Sequence, residues 1–231
     1  MKNLLYKELK LSMHYTCYIF PLVFGFLAML PNYPAFVAPL YAVVCYPILF
    51  LGANKGQTTN DLFYTCNLPI RKCDVVKARL LTVSFLHLMS IVSTAIFMAV
   101  GLLVEAKIAE NGGTIVNLGL GRDSFLAFFG VTIVGYALSD LIFIPWFYKT
   151  GKSITLPALV TIFFYAIYSI VFCLVLPKSI PSLAAVLDVS SGGTTGLIVQ
   201  FSVLGFAIAF YLAIRFLVYR ISARELEKID F

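Results

Sequence analysis

Residues 54–79 read NKGQTTNDLFYTCNLPIRKCDVVKAR. Before them stands AFVAPLYAVVCYPILFLGA, residues 35–53, and after them LLTVSFLHLMSIVSTAIFMAVGLLV, residues 80–104. Each flanking run is near the roughly 20 apolar residues that a helix needs to cross a bilayer. The interval between them carries Lys55, Arg71, Lys72, Lys77 and Arg79, together with the apolar trio Leu62-Phe63-Tyr64. A plain connection between two membrane helices needs no such trio, so the interval reads as a docking surface for a soluble partner.

The rest of the chain repeats the pattern. Its 231 residues are 61% hydrophobic and only 12% charged, with a mean hydropathy of +0.94. A soluble domain carries about a quarter of its residues as charges. In lipid, backbone groups are satisfied only within helices or closed barrels, and continuous rather than alternating apolar runs select helices. The expectation is an all-α polytopic membrane protein forming one transmembrane domain over residues 1–231.

Six spans are expected: about Tyr15–Leu30, Ala35–Ala53, Leu80–Val104, Ser124–Tyr148, Ile154–Leu176 and Thr195–Tyr219. Pro21, Pro39 and Pro47 make the first two irregular, because a proline removes a backbone donor. Residues 105–123 read as a mixed, glycine-containing loop. Ile180–Leu187 is apolar enough for a short re-entrant or interfacial helix, and Gly192-Gly193 then turns the chain. At the start, Leu4, Leu5, Leu9 and Leu11 stand against Lys2, Lys7, Glu8 and Lys10, the pattern of an amphipathic helix lying in the membrane interface.

Six spans put both termini on one side. Lys2, Lys7 and Lys10, the five basic residues of the 54–79 loop, Lys149, Lys152, Arg215, Arg220, Arg224 and Lys228 fall on that side. Lys107, Arg122 and Lys178 fall on the other. Basic residues concentrate in the cytoplasm, so both termini and the loop are expected there. The net charge of +6 has this origin and does not point to nucleic acid.

Chemistry is sparse. Cys17, Cys45, Cys66, Cys73 and Cys173 form no zinc spacing or disulfide framework, and no catalytic constellation is visible. Gly151-Lys152-Ser153 imitates the end of a phosphate-binding loop, but the glycine required five residues earlier is Trp146, and a membrane helix rather than a strand precedes it. No metal or cofactor is expected on this chain.

Asp140 stands well inside an apolar span, which makes it a functional candidate. It lies about 13 Å from the boundary at Lys149, counting nine residues at about 1.5 Å each, and His87 lies about 12 Å past Arg79. At matching depths, His87 and Asp140 can pair. They read either as elements of a translocation path or proton relay, or as a polar clamp between helices.

Within the loop, Thr58-Thr59-Asn60-Asp61 suits a helix start, Leu62-Phe63-Tyr64 gives a one-turn apolar face, and Asn67-Leu68-Pro69 ends it. Lys72–Arg79 restarts a helix that feeds the third span. Such a short helix can insert into a groove on another protein.

These residues carry a resemblance. Asp61 with Leu68-Pro69-Ile70-Arg71-Lys72-Cys73-Asp74-Val75-Val76-Lys77-Ala78-Arg79 resembles the cytoplasmic signature of small six-span permease subunits of type-2 export ATP-binding-cassette (ABC) transporters. Ile144-Pro145-Trp146-Phe147-Tyr148-Lys149-Thr150-Gly151-Lys152 is similar to a patch at the end of their fourth span. The chain departs at Arg71, where a Ser or Thr usually caps the second short helix, and at Cys73, which replaces a base. A missing cap costs about 1 kcal/mol of local helix stability.

The resemblance implies a bacterial cell-membrane exporter. Its permease would pair with a second, identical or paralogous permease and with separate ATPase subunits that bind ATP and Mg. Asp61–Cys66 would be the coupling helix, with Asp61, Leu62, Phe63, Tyr64, Leu68, Pro69, Arg71 and Lys72 docking the ATPase. Relatives similar to this chain export phenol-soluble modulins or other amphipathic and antimicrobial peptides, or confer bacteriocin immunity. The alternative is a self-sufficient secondary transporter, or a peptide- or bacteriocin-immunity membrane protein, that uses Asp140 and His87.

Overall fold

The computed structural model describes residues 2–30, 33–51, 65, 70–112, 120, 124–150, 154–180, 182 and 189–228. No strand occurs among them. Helix α1 spans Lys2–Lys7 and continues as one wide π-helical turn, Glu8–Ser12. Then follow α2, Thr16–Leu27, and α3, Val37–Leu51. Helix α4 covers Lys72–Glu110, and α5 covers Phe125–Thr150. Helix α6 spans Thr155–Ile170 and runs through the π-helical turn Val171–Val175 into Leu176–Ser179. Helix α7, Val189–Glu227, is broken at Gly193.

Among the described residues, four helices are long and apolar enough to cross a membrane: Lys72–Glu110, Phe125–Thr150, Thr155–Ser179 and Gly193–Glu227. The apolar helices Thr16–Leu27 and Val37–Phe50 are shorter. Prolines 21 and 47 lie inside these two, where each removes a backbone donor.

Helix α5 is the axis of the bundle. In its most apolar window 67% of residues are buried, against 11% for α7. It packs most extensively on α7 and also on α6, while α4 joins α2, α3 and α7. Small residues permit the close crossings, as expected where lipid gives helices no hydrophobic drive to associate. A Cβ on Gly135 would stand 2.8 Å from the Tyr165 ring and 2.9 Å from Tyr168. At the α2–α4 crossing a Cβ on Gly25 would collide with Ser93, whose hydroxyl donates to the Pro21 carbonyl at 2.7 Å.

Two helices outrun their expected ends. Helix α4 continues past Val104 to Glu110 before Gly112 takes φ +74°, because Glu105-Ala106-Lys107 are good helix formers and the first glycine comes only at 112. Helix α7 carries its charged tail to Glu227. At Gly193 the backbone adopts φ 53° and ψ −136°, the left-handed side that glycine tolerates, which fits the expected turn at the glycine pair. Most of 180–187 lies outside the described residues, as does Gly151-Lys152-Ser153.

Two basic residues assigned to the polar side by charge counting are buried instead. Arg215 is held inside the bundle by Asp140, and Arg79 by Glu8. Glu8, expected on the wet face of α1, is itself buried. Glu8 stands one turn past Leu4 and Leu5, at i+4 and i+3, so a helix places it on their face, and that face carries it to Arg79 of α4.

Candidate functional site

Four helices meet around Asp140. It stands on α5 in the most buried part of the bundle, with 0% side-chain exposure, and Arg215 of α7 reaches it through Nη1 at 3.1 Å from Oδ2. A charge moved into so poor a dielectric is tolerated only when paired and hydrogen-bonded. The second carboxylate oxygen, Oδ1, accepts from the Tyr46 hydroxyl of α3 at 2.6 Å. On the far side of the guanidinium, Nη2 donates to the Leu80 carbonyl of α4 at 2.7 Å and to the Ser84 hydroxyl.

His87 of α4 completes the circuit. Its Nε2 is 2.7 Å from the Tyr46 oxygen, and its Nδ1 is 3.0 Å from the Tyr211 hydroxyl of α7. The Tyr46 proton is committed to Asp140, so Nε2–H must be the donor to Tyr46, leaving Nδ1 to accept from Tyr211. This tautomer gives one directional chain: Tyr211 to His87, His87 to Tyr46, Tyr46 to Asp140. The imidazole lies flat on Tyr136 at 4.2 Å and 5°, and Tyr136 stacks in turn on Tyr165. The Tyr136 hydroxyl donates to the Pro39 carbonyl at 2.9 Å, which fixes the stack.

The expected approach of His87 to Asp140 is present, with Nδ1 4.0 Å from Oδ2, but it is indirect: Tyr46 bridges them and Arg215 carries the compensating charge. His87 and Asp140 are both buried. Such an arrangement locks α3, α4, α5 and α7 at one depth.

A second polar joint lies near the loop. Glu8 Oε2 is 3.0 Å from Arg79 Nε, with side-chain exposures of 1% and 7%. Arg79 Nη1 donates to the Leu49 carbonyl at 2.9 Å, and the guanidinium sits over Phe50. One basic residue thereby joins α1, the end of α3 and the start of α4. Beside it, Lys7 donates to the hydroxyl of Thr65, a buried loop residue.

Of the expected docking residues, Asp61, Leu62, Phe63, Tyr64, Leu68 and Pro69 lie outside the described residues. Arg71 is exposed and extended (φ −70°, ψ 132°) just before α4, with no side-chain cap, and Lys72 begins the helix. The helix from Lys72 runs through Arg79 into the apolar stretch from Leu80 without a break, as its sequence predicted. Cys17, Cys45 and Cys173 are buried free thiols.

The family model described as ABC-2 family transporter protein matches residues 3–222. The chain belongs to the ABC-2 transporter family. Membership makes it a membrane component of a transporter and implies an ABC ATPase as its partner. No curated protein and no solved structure matches the chain. The match spans α1 and nearly all of α7, so both polar joints of this ABC-2 permease fall within it.

Proposed function

We propose that the chain is the permease subunit of an ATP-driven exporter that moves amphipathic or antimicrobial peptides out of a bacterial cell. The observation that carries this reading is the family match over residues 3–222. The peptide substrate and the outward direction rest on the resemblance of Leu68–Arg79 and Ile144–Lys152 to small peptide-export permeases. Six membrane crossings with both termini in the cytoplasm, a second permease alongside, and ATP and Mg held by the partner ATPase complete the proposal.

In this reading Asp61–Cys66 is the coupling helix, and Asp61, Leu62, Phe63, Tyr64, Leu68, Pro69, Arg71 and Lys72 meet the ATPase. The continuous α4 supports the assignment. A helix rooted at Lys72 is a stiff lever for carrying movement of the loop into the bilayer, and Arg79 couples that lever to α1 and α3.

Asp140 and His87 act here as a clamp rather than as the lining of the substrate path. Their burial, the hydrogen bond of Asp140 with Tyr46 and its ion pair with Arg215 support the clamp. The secondary-transporter alternative draws on the same hydrogen-bond chain, which has the polarity a proton relay needs. Co-purification with the ATPase subunit separates the two. An ABC permease retains a stoichiometric ATPase and loses it on replacing Phe63 and Tyr64 with Ala. A complex and ATP turnover left unchanged by that double replacement remove the docking assignment.

A further inference from the structure

A groove of about 410 Å³ runs between α4 and α7 on the outside of the bundle. Lys77 and Tyr219 stand at one end, and Ser84, Tyr211 and Arg215 at the other. Lys77 to Ser84 is seven residues of helix, about 10 Å. The walls between are apolar: Leu81, Leu212 and Phe216 line the groove and are themselves outward-facing, at 48%, 63% and 58% exposure. In a bilayer these faces meet lipid chains.

The charges on this face are unequal in reach. Lys77 is held over the Tyr219 ring at 5.3 Å and Arg220 over the Phe216 ring at 4.8 Å, so two cations stand around the mouth, with Arg215 further in. Among the described residues, the carboxylates that pair with the cations lining the groove are Asp74 and Asp140. Asp74 touches Lys77 only at 3.8 Å across an exposed helix surface, a contact of little strength. Asp140 is fully occluded behind Arg215. The mouth therefore presents positive potential above an apolar trough, and the hydroxyls of Ser84 and Tyr211 lie at the inner end.

We propose that this groove is a binding site for one anionic phospholipid of the leaflet on the Lys- and Arg-rich side. Its phosphate lies near Lys77 at headgroup depth, and an acyl chain lies along Leu81, Leu212 and Phe216. Basic recesses between membrane helices on the cytoplasmic side select anionic headgroups by this combination of charge and apolar wall. A bound lipid would bridge α4, the helix that leaves the loop, to α7, which carries Arg215. The proposal stands on the groove itself and does not depend on which substrate is transported.

The test is native mass spectrometry of the purified full-length chain titrated with phosphatidylglycerol or with phosphatidylcholine of identical acyl chains. One phosphatidylglycerol is retained in preference to phosphatidylcholine, and Lys77→Gln weakens its retention about fivefold, the effect of one interfacial cation. Leu81→Trp, at a lipid-facing position, keeps every charge but fills the trough and also lowers retention. Equal retention of both lipids, or an undiminished preference in both variants, overturns the site. So does competition by inorganic phosphate, which would make it a free-anion site, or disulfide self-linkage of Leu81→Cys, which would place a second copy of the chain there. Monodisperse gel filtration of each variant shows that the fold is retained.

Discussion

Arg215 and Asp140 form an ion pair at 3.1 Å between the last helix and the most buried helix of the bundle, with 10% and 0% side-chain exposure. Tyr46, Leu80 and Ser84 are arranged around that pair. Asp140 uses its second oxygen on Tyr46, and Arg215 uses its second nitrogen on Leu80 and Ser84.

Breaking the pair from one side leaves a buried charge without compensation. Asp140→Asn is expected to destabilise the protein by about 3–5 kcal/mol, read as a large drop in the midpoint of thermal unfolding in detergent. The double replacement Asp140→Leu with Arg215→Met removes both charges and is expected to recover most of that loss. An Asp140→Asn protein as stable as the parent contradicts the clamp.

Tyr46→Phe deletes one hydroxyl but strands two groups, the Asp140 carboxylate oxygen and the His87 N–H. Each unsatisfied buried group costs about 1–3 kcal/mol. The thermal midpoint should fall by more than it does for Tyr136→Phe, which forfeits the Pro39 carbonyl and the 3.0 Å approach to Ser90. Equal losses would mean that Tyr46 does not bridge His87 and Asp140.

Glu8→Gln removes the negative partner of Arg79 and loosens α1 from the base of α4. Amide hydrogen exchange over residues 2–12 should accelerate while the centre of α5 stays protected. Exchange unchanged over residues 2–12 would show that α1 is held by apolar contacts alone.

Gly135→Ala drives a methyl into Tyr165 and Tyr168 across the α5–α6 contact. Overpacking of this kind costs about 1–3 kcal/mol. The same change at Gly205, where a Cβ would meet nothing within 4 Å, should be neutral or slightly stabilising, since alanine is the better helix former. The comparison of the two thermal midpoints checks the packing directly.

What could be read from the chain follows its physics. Asp140 and His87 were visible because an ionisable residue inside an apolar run has few ways to be satisfied, and equal depth brought the two together. Arg215 was hidden among the basic residues of the tail. Its signal was Phe216-Leu217-Val218-Tyr219, an apolar stretch that separates it from Arg220 and sets it inside the span rather than at its end. Tyr46 could not be singled out from 13 tyrosines, because a tyrosine satisfies itself equally well in a core, at an interface or in a network. Glu8 was assigned to the wrong face because its charge was taken as a sign of water, although its spacing of four and three residues from Leu4 and Leu5 sets it on their face. The long α4 was legible from Lys72 onward, since nothing in Lys72–Arg79 breaks a helix.

The central claim is that ATP held by a partner drives peptide through this permease. Its most direct test is to reconstitute the chain with its co-purifying ATPase in inside-out vesicles and follow a fluorescent amphipathic peptide. The account predicts peptide accumulation inside the vesicles with ATP and Mg but not with ADP, abolished when Phe63 and Tyr64 are replaced by Ala. Accumulation driven by a proton gradient without the ATPase, and lost on Asp140→Asn, would contradict it.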